Sequence, residues 1–106
     1  MIDSLKILPI IFLFALSGCA TSQALIAQRQ QVIDHHQEWA QDKKQKVLDG
    51  SVYIGMTKDE VIAIMGYPGS CNKTVTGWGV HEQCSIDGNT YLYYDDGVLT
   101  SFQDFS

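Results

Sequence analysis

Basic residues are scarce in this chain and prolines nearly missing. Seven lysines and arginines stand against twelve acids, and only two prolines occur in 106 residues. The net charge of −5 argues against a nucleic-acid partner, whose phosphates need clustered cations, and against electrostatic adhesion to anionic lipid. No apolar run reaches the roughly 20 residues of a membrane-spanning helix. No His-Glu-x-x-His, Gly-x-Ser-x-Gly or Cys-x-x-Cys pattern is present, so the usual signatures of zinc proteases, serine hydrolases and dithiol redox proteins are missing. The length suits one small domain, in the size range where a covalent staple is often needed.

What is present begins with an apolar run from Ile7 to Leu16, interrupted only by Pro9 and followed by Ser17, Gly18 and Cys19. This pattern predicts a signal peptide over residues 1–18 rather than part of the fold. Leu16-Ser17-Gly18-Cys19 resembles the lipobox of bacterial lipoprotein precursors, which implies that the Cys19 sulfur receives diacylglycerol, that cleavage makes Cys19 the N-terminus, and that acyl chains (palmitate among them) anchor the protein to a membrane. The alternative is an unlipidated Cys19 in a secreted protein. Removing residues 1–18 takes away one acid, Asp3, and one base, Lys6, so the net charge stays at −5. Ala20 after the anchor, where an Asp would retain a lipoprotein at the inner membrane in enterobacteria-like sorting, implies delivery to the outer membrane, with the domain expected to face the periplasm.

Residues Ala20 to Asp49 contain no Pro and no Gly. Apolar pairs recur at Leu25-Ile26, Val32-Ile33, Trp39-Ala40 and Val47-Leu48, spacings that return each pair to nearly the same side of a helix. The spacing predicts one long helix with a thin apolar seam, because Arg29, His36 and Lys43 share the stripe; Gly50 is a suitable stop. Residues 19–50 thus read as a lipidated N-terminus and helical spacer. Thr57-Lys58-Asp59-Glu60 is a capping box, and Met56 with Val61 can form the accompanying hydrophobic staple. Gly66 offers a left-handed terminator and Pro68 blocks continuation, so a short helix is expected over Lys58 to Met65.

From Ser70 onward the pattern changes to short β-rich runs. Strands are expected near Cys71–Thr76, Val80–Ile86, Thr90–Tyr94 and Val98–Gln103, joined by Gly77-Trp78-Gly79, Asp87-Gly88-Asn89 and Asp95-Asp96-Gly97. Short connections make consecutive strands antiparallel neighbours. Setting Cys19 aside leaves Cys71 and Cys84, an even pair in an exported chain, which favours a disulfide. If Gly77 and Trp78 are the two central residues of the first turn, Cys71 and Cys84 lie directly opposite each other within bridging reach. A three-residue turn would shift that parity.

Gly55-Met56-Thr57-Lys58-Asp59-Glu60-Val61, continuing to Gly66-Tyr67-Pro68, resembles the opening motif of the SmpA/OmlA (BamE-like) lipoprotein domain. Tyr91-Leu92-Tyr93-Tyr94-Asp95-Asp96-Gly97-Val98-Leu99-Thr100 is similar to the final hairpin of that group. The resemblance covers roughly residues 52–102. It implies an α+β domain over residues 51–106, with two helices packed on one face of a small antiparallel sheet. With the long helix expected over residues 20–49, which departs from the better-known members, the fold class reads as α+β, one long N-terminal helix and one short helix on an antiparallel sheet of three to four strands. The resemblance further implies a place at the outer membrane, where the best-known members are accessory parts of the machinery that inserts β-barrel proteins. The same architecture occurs in inhibitors of β-lactamases.

The histidines offer little chemistry by position. His35 and His36 are adjacent, so they point to different helix faces, and His81 is distant in sequence. No metal site, cofactor or small-molecule substrate is expected, and Asp87, Asp95 and Asp96 read as turn residues rather than calcium ligands. The aromatic residues Tyr91, Tyr93, Tyr94 and Phe102, with Trp78 at a turn, crowd the sheet. Alternation sends about half of them away from the helices. Trp78, Tyr91, Tyr93 and Tyr94 are the candidate protein-binding residues, since Tyr and Trp are favoured interface anchors. The sequence thus points to a non-enzymatic, lipid-anchored envelope protein that binds another envelope protein or acts as a scaffold. The alternatives are an inhibitor of a periplasmic enzyme and a small metal-binding protein using His35, His36 or His81.

Overall fold

The computed structural model describes residues 23–104; residues 1–18, expected as a signal peptide, and Cys19 and Ala20 lie outside them. Among the described residues, three helices and a four-stranded antiparallel sheet make an α+β fold. Helix α1 is described over residues 23–34, α2 is Gln41–Leu48 and α3 is Lys58–Met65. The strands are β1 (Ser70–Thr76), β2 (Gly79–Ile86), β3 (Thr90–Asp95) and β4 (Val98–Asp104), in the spatial order β1-β2-β3-β4. No described helix is long and apolar enough to cross a membrane.

The long helix expected over residues 20–49 is two helices. The His35 and His36 amides bond back to Val32 and Ile33 at 3.2 and 2.9 Å, tightening the end of α1, and a further turn joins the Trp39 amide to the His36 carbonyl at 3.1 Å. The consequence is read at Arg29, whose Nη1 donates to the Leu48 carbonyl at 2.8 Å. In one continuous helix these residues would lie roughly 28 Å apart along the axis. The chain therefore doubles back, and no Gly or Pro marks the reversal. Burial drives it. The reversal lets Val32, Ile33 and the fully buried Val47 enter one core with Met56, Val61, Ile64, Cys84, Ile86, Leu92, Tyr94 and Leu99. The segment read as a spacer thus shares its core with the residues from 51 onward.

Helix α3 has the bounds its signals predict. The Thr57 hydroxyl accepts from the Glu60 amide at 3.2 Å, the Glu60 carboxylate accepts from the Thr57 amide at 3.0 Å, and Gly66 closes the helix at φ 96°. Just before α3, the Gly55 amide donates to the Leu99 carbonyl and the Leu99 amide to the Met56 carbonyl, both at 2.8 Å. This short ladder covers the start of β4, whereas β1 is left as an open edge with nearly all its residues exposed.

The β1–β2 turn uses two central residues, since Thr76 faces Gly79 across it. That register places Cys71 opposite Cys84, and the two form a disulfide with a Cα–Cα distance of 4.0 Å. The β3–β4 turn places Asp96 and Gly97 at positive φ (50° and 81°), as a turn matched to strand twist requires. Asp96 also reaches across the sheet: its carboxylate accepts from the Val80 amide at 2.8 Å, and its amide donates to the Val80 carbonyl at 2.8 Å. Gly79 makes room for this contact, because a Cβ there would stand 2.7 Å from the Asp96 carboxylate.

Candidate functional site

The β1–β2 hairpin is the most exposed feature that bears a large side chain. Its tip is ordered by one hydroxyl: Thr76 Oγ1 accepts from the Trp78 amide at 3.1 Å and donates to the Gly79 carbonyl at 3.2 Å. The Trp78 indole beyond it is 92% exposed, and Val75 beside it is 72% exposed. The disulfide clamps the other end of the same hairpin. The braced hairpin thus holds an indole and a valine in water, side chains of the kind that serve as interface anchors.

The candidate tyrosines separate by register. Tyr94 is 2% exposed and belongs to the core, so it is withdrawn from the binding set. Its place on the helix-facing side follows from its pairing with Leu99. Burial, with the nearby Glu82 charge adding to it, pushes the Tyr94 hydroxyl up to about 12. Glu82 also points to the helix side, where the Lys58 ammonium meets it at 2.7 Å. Tyr91 and Tyr93 are half-buried and lie on the opposite face of the sheet. The structure thus brings Tyr91 and Tyr93 together and sets them apart from Tyr94.

One cluster escaped sequence reasoning. The reversal between α1 and α2 turns His36 onto α3, where Nε2 faces the Glu60 carboxylate at 2.6 Å while Nδ1 faces Glu38 at 3.1 Å. The ring stacks on Trp39, with centroids 4.1 Å apart and planes 2° from parallel, and the Lys43 ammonium sits over Trp39 and Tyr53 at 4.5 and 4.6 Å. The hydrogen bond to Glu60 holds His36 above its ordinary value of 6.5; partial burial opposes this and Glu38 adds to it. Burial alone would raise the Glu60 carboxyl, but the Thr57 amide and His36 together hold it below the usual carboxylate range. Glu60 therefore serves two masters, the helix cap and the imidazole. His36 and His35 line a groove of about 480 Å³ with Asp59, Glu60 and Gln31. The pair Trp39 and His36, three residues apart, was the available signal, but it reads equally as one turn of a continuous helix.

Among the described residues, one set has metal-ligand proximity: Cys71, Glu82 and Cys84, whose ligand atoms lie within 4.8 Å of one another. Both sulfurs are committed to the disulfide and the carboxylate to Lys58, so the set fits a covalent staple with an adjacent ion pair better than a cation. His81 stands apart, paired with Asp95 at 2.5 Å on the outer sheet face.

No family model, curated protein or solved structure matches this chain.

Proposed function

We propose that this is a non-enzymatic, lipid-anchored protein of the bacterial cell envelope that binds another envelope protein through its β1–β2 hairpin. The observation that carries the reading is Trp78, 92% exposed at a hairpin tip whose base is held by a disulfide. Leaving an indole in water forgoes its large hydrophobic gain, and a partner's pocket recovers it. The lipobox-like Leu16-Ser17-Gly18-Cys19 supports tethering, and Ala20 supports the outer membrane as the destination. The resemblance to the SmpA/OmlA domain supports an accessory part in outer-membrane assembly or integrity. A protruding hairpin with one aromatic at its tip also suits a plug for a concave site, which favours an inhibitor of a periplasmic enzyme as the second reading.

The test places a photo-crosslinking residue at position 78 of the full-length chain in intact envelopes. A discrete protein adduct, missing when the probe stands at Ser101 on the outer sheet face, is the expected result. Adducts no different from those at Ser101 would count against the hairpin reading. Cys19→Ser should move the protein from the membrane fraction to the soluble one.

A further inference from the structure

The face of the sheet turned away from the helices is made mainly of uncharged polar and aromatic side chains. One cross-strand row runs Asn72, Gln83, Tyr93, Ser101, and the row beside it begins Thr74, His81, Asp95. On the other side, Tyr91 stands between Ser85 and Gln103. The strands place no lysine or arginine on this face, and its one aliphatic side chain is Val98, at the corner beside Asp95. The imidazole and the carboxylate on this face, His81 and Asp95, are hydrogen-bonded to each other at 2.5 Å. A shallow depression of about 220 Å³ lies between Asn72, Thr74, His81, Gln83, Tyr93 and Asp95. It is small beside the roughly 300–1,000 Å³ of sites for drug-sized ligands.

We propose that this face is a binding platform for an uncharged saccharide, with the Tyr93 ring as the stacking surface and Asn72, Gln83 and Thr74 as the groups that read hydroxyls. Charge and composition both select this occupant. A phosphorylated or acidic ligand would find no lysine or arginine here and would meet the Asp95 carboxylate. A protein partner would want an aliphatic and aromatic centre, which the hairpin tip offers and this face does not. A sugar ring presents both halves of what is needed. Its C–H face packs on the electron-rich face of a tyrosine ring, and its hydroxyls pair with side-chain amides that donate and accept at once. Tyr93 is fixed in advance, because its hydroxyl donates to the Gln103 side-chain oxygen at 3.0 Å, so little rotamer freedom remains to be lost on binding. The proposal stands on different residues from the hairpin reading, and either can fail without the other.

The test titrates the full-length, disulfide-bonded chain, in micelles of a detergent without a sugar headgroup, with chitotetraose and with maltotetraose. Saturation-transfer NMR and an affinity titration are the readouts, and tetragalacturonate is the anionic control. Binding of at least one uncharged tetramer with Kd on the order of 1 mM is expected. Tyr93→Ala and Gln83→Ala should each weaken it about tenfold, with Lys46→Ala, exposed on α2, without effect. Should Tyr93→Ala disturb the fold, as circular dichroism would show, Gln83→Ala at an exposed position decides. The proposal is overturned by no transfer to either uncharged tetramer up to about 20 mM, by titrations that Gln83→Ala leaves unchanged, by preference for tetragalacturonate, or by protein adducts from a photo-probe at position 83.

Discussion

At the scale of single residues, Arg29 and His36 hold together segments that are far apart in sequence. Arg29 Nε donates to the Ile64 carbonyl and Nη1 to the Leu48 carbonyl, both at 2.8 Å. One guanidinium thus caps the C-terminal carbonyls of α2 and α3 from α1, where cations are also favoured by the helix dipole. Arg29→Met keeps the stem but leaves two carbonyls without their donor. It should cost about 2–3 kcal/mol in urea unfolding, whereas the exposed Lys46→Met should change stability little. His36 sets a pH dependence with a definite sign. Its folded pKa is raised above 6.5, so the stabilisation it brings is fully present below that value and is lost as pH rises through the folded pKa. Glu60 is lowered, so its contribution is present above the ordinary carboxylate value and is lost only in acid. The ion pair is therefore strongest between the two folded pKa values. The melting temperature of the unmodified chain should fall between about pH 6 and pH 9, and His36→Gln should remove that slope.

At the scale of elements, the short helix and the hairpin were both legible because their signals are local. Thr57, Glu60, Gly66 and Pro68 satisfy or forbid backbone groups within α3 itself, so the helix has the same bounds in sequence and structure. Thr57→Ala removes the hydroxyl of the cap and should cost about 1 kcal/mol, measurable as a lower melting midpoint. The cysteine register was legible only on condition of a two-residue turn, which Thr76 and Gly79 supply. Opening the bridge with Cys71→Ser and Cys84→Ser together frees the short loop between them and should cost roughly 3 kcal/mol. Trp78→Ala, by contrast, should leave stability within about 0.5 kcal/mol. Loss of partner recovery in chemical crosslinking of intact envelopes, without loss of stability, is the outcome that separates recognition from folding at that residue. Alternation placed Tyr91 and Tyr93 on one face and Tyr94 on the other, but which face met the helices was not written in the strands themselves.

At the scale of the whole molecule, the helices and the sheet share a single core, since Val32, Ile33 and Val47 pack with residues of α3 and all of β2 to β4. A fragment of residues 51–106 should therefore lack cooperative unfolding and dispersed amide resonances, although it holds every residue of the capping box and the sheet. The sequence alone determined the elements whose causes are local, the cap and stop of α3 and the four strands with their turns; the pairing of Cys71 with Cys84 followed once the first turn took two residues. Tertiary structure alone decided the reversal after residue 34, the two hydrogen bonds of His36 to Glu38 and Glu60, the burial of Tyr94, and the polar face around Tyr93. The physical reason is common to all four. A seam of apolar pairs is equally satisfied by one straight helix or by two folded back, and burial against a sheet distinguishes them only after the sheet exists.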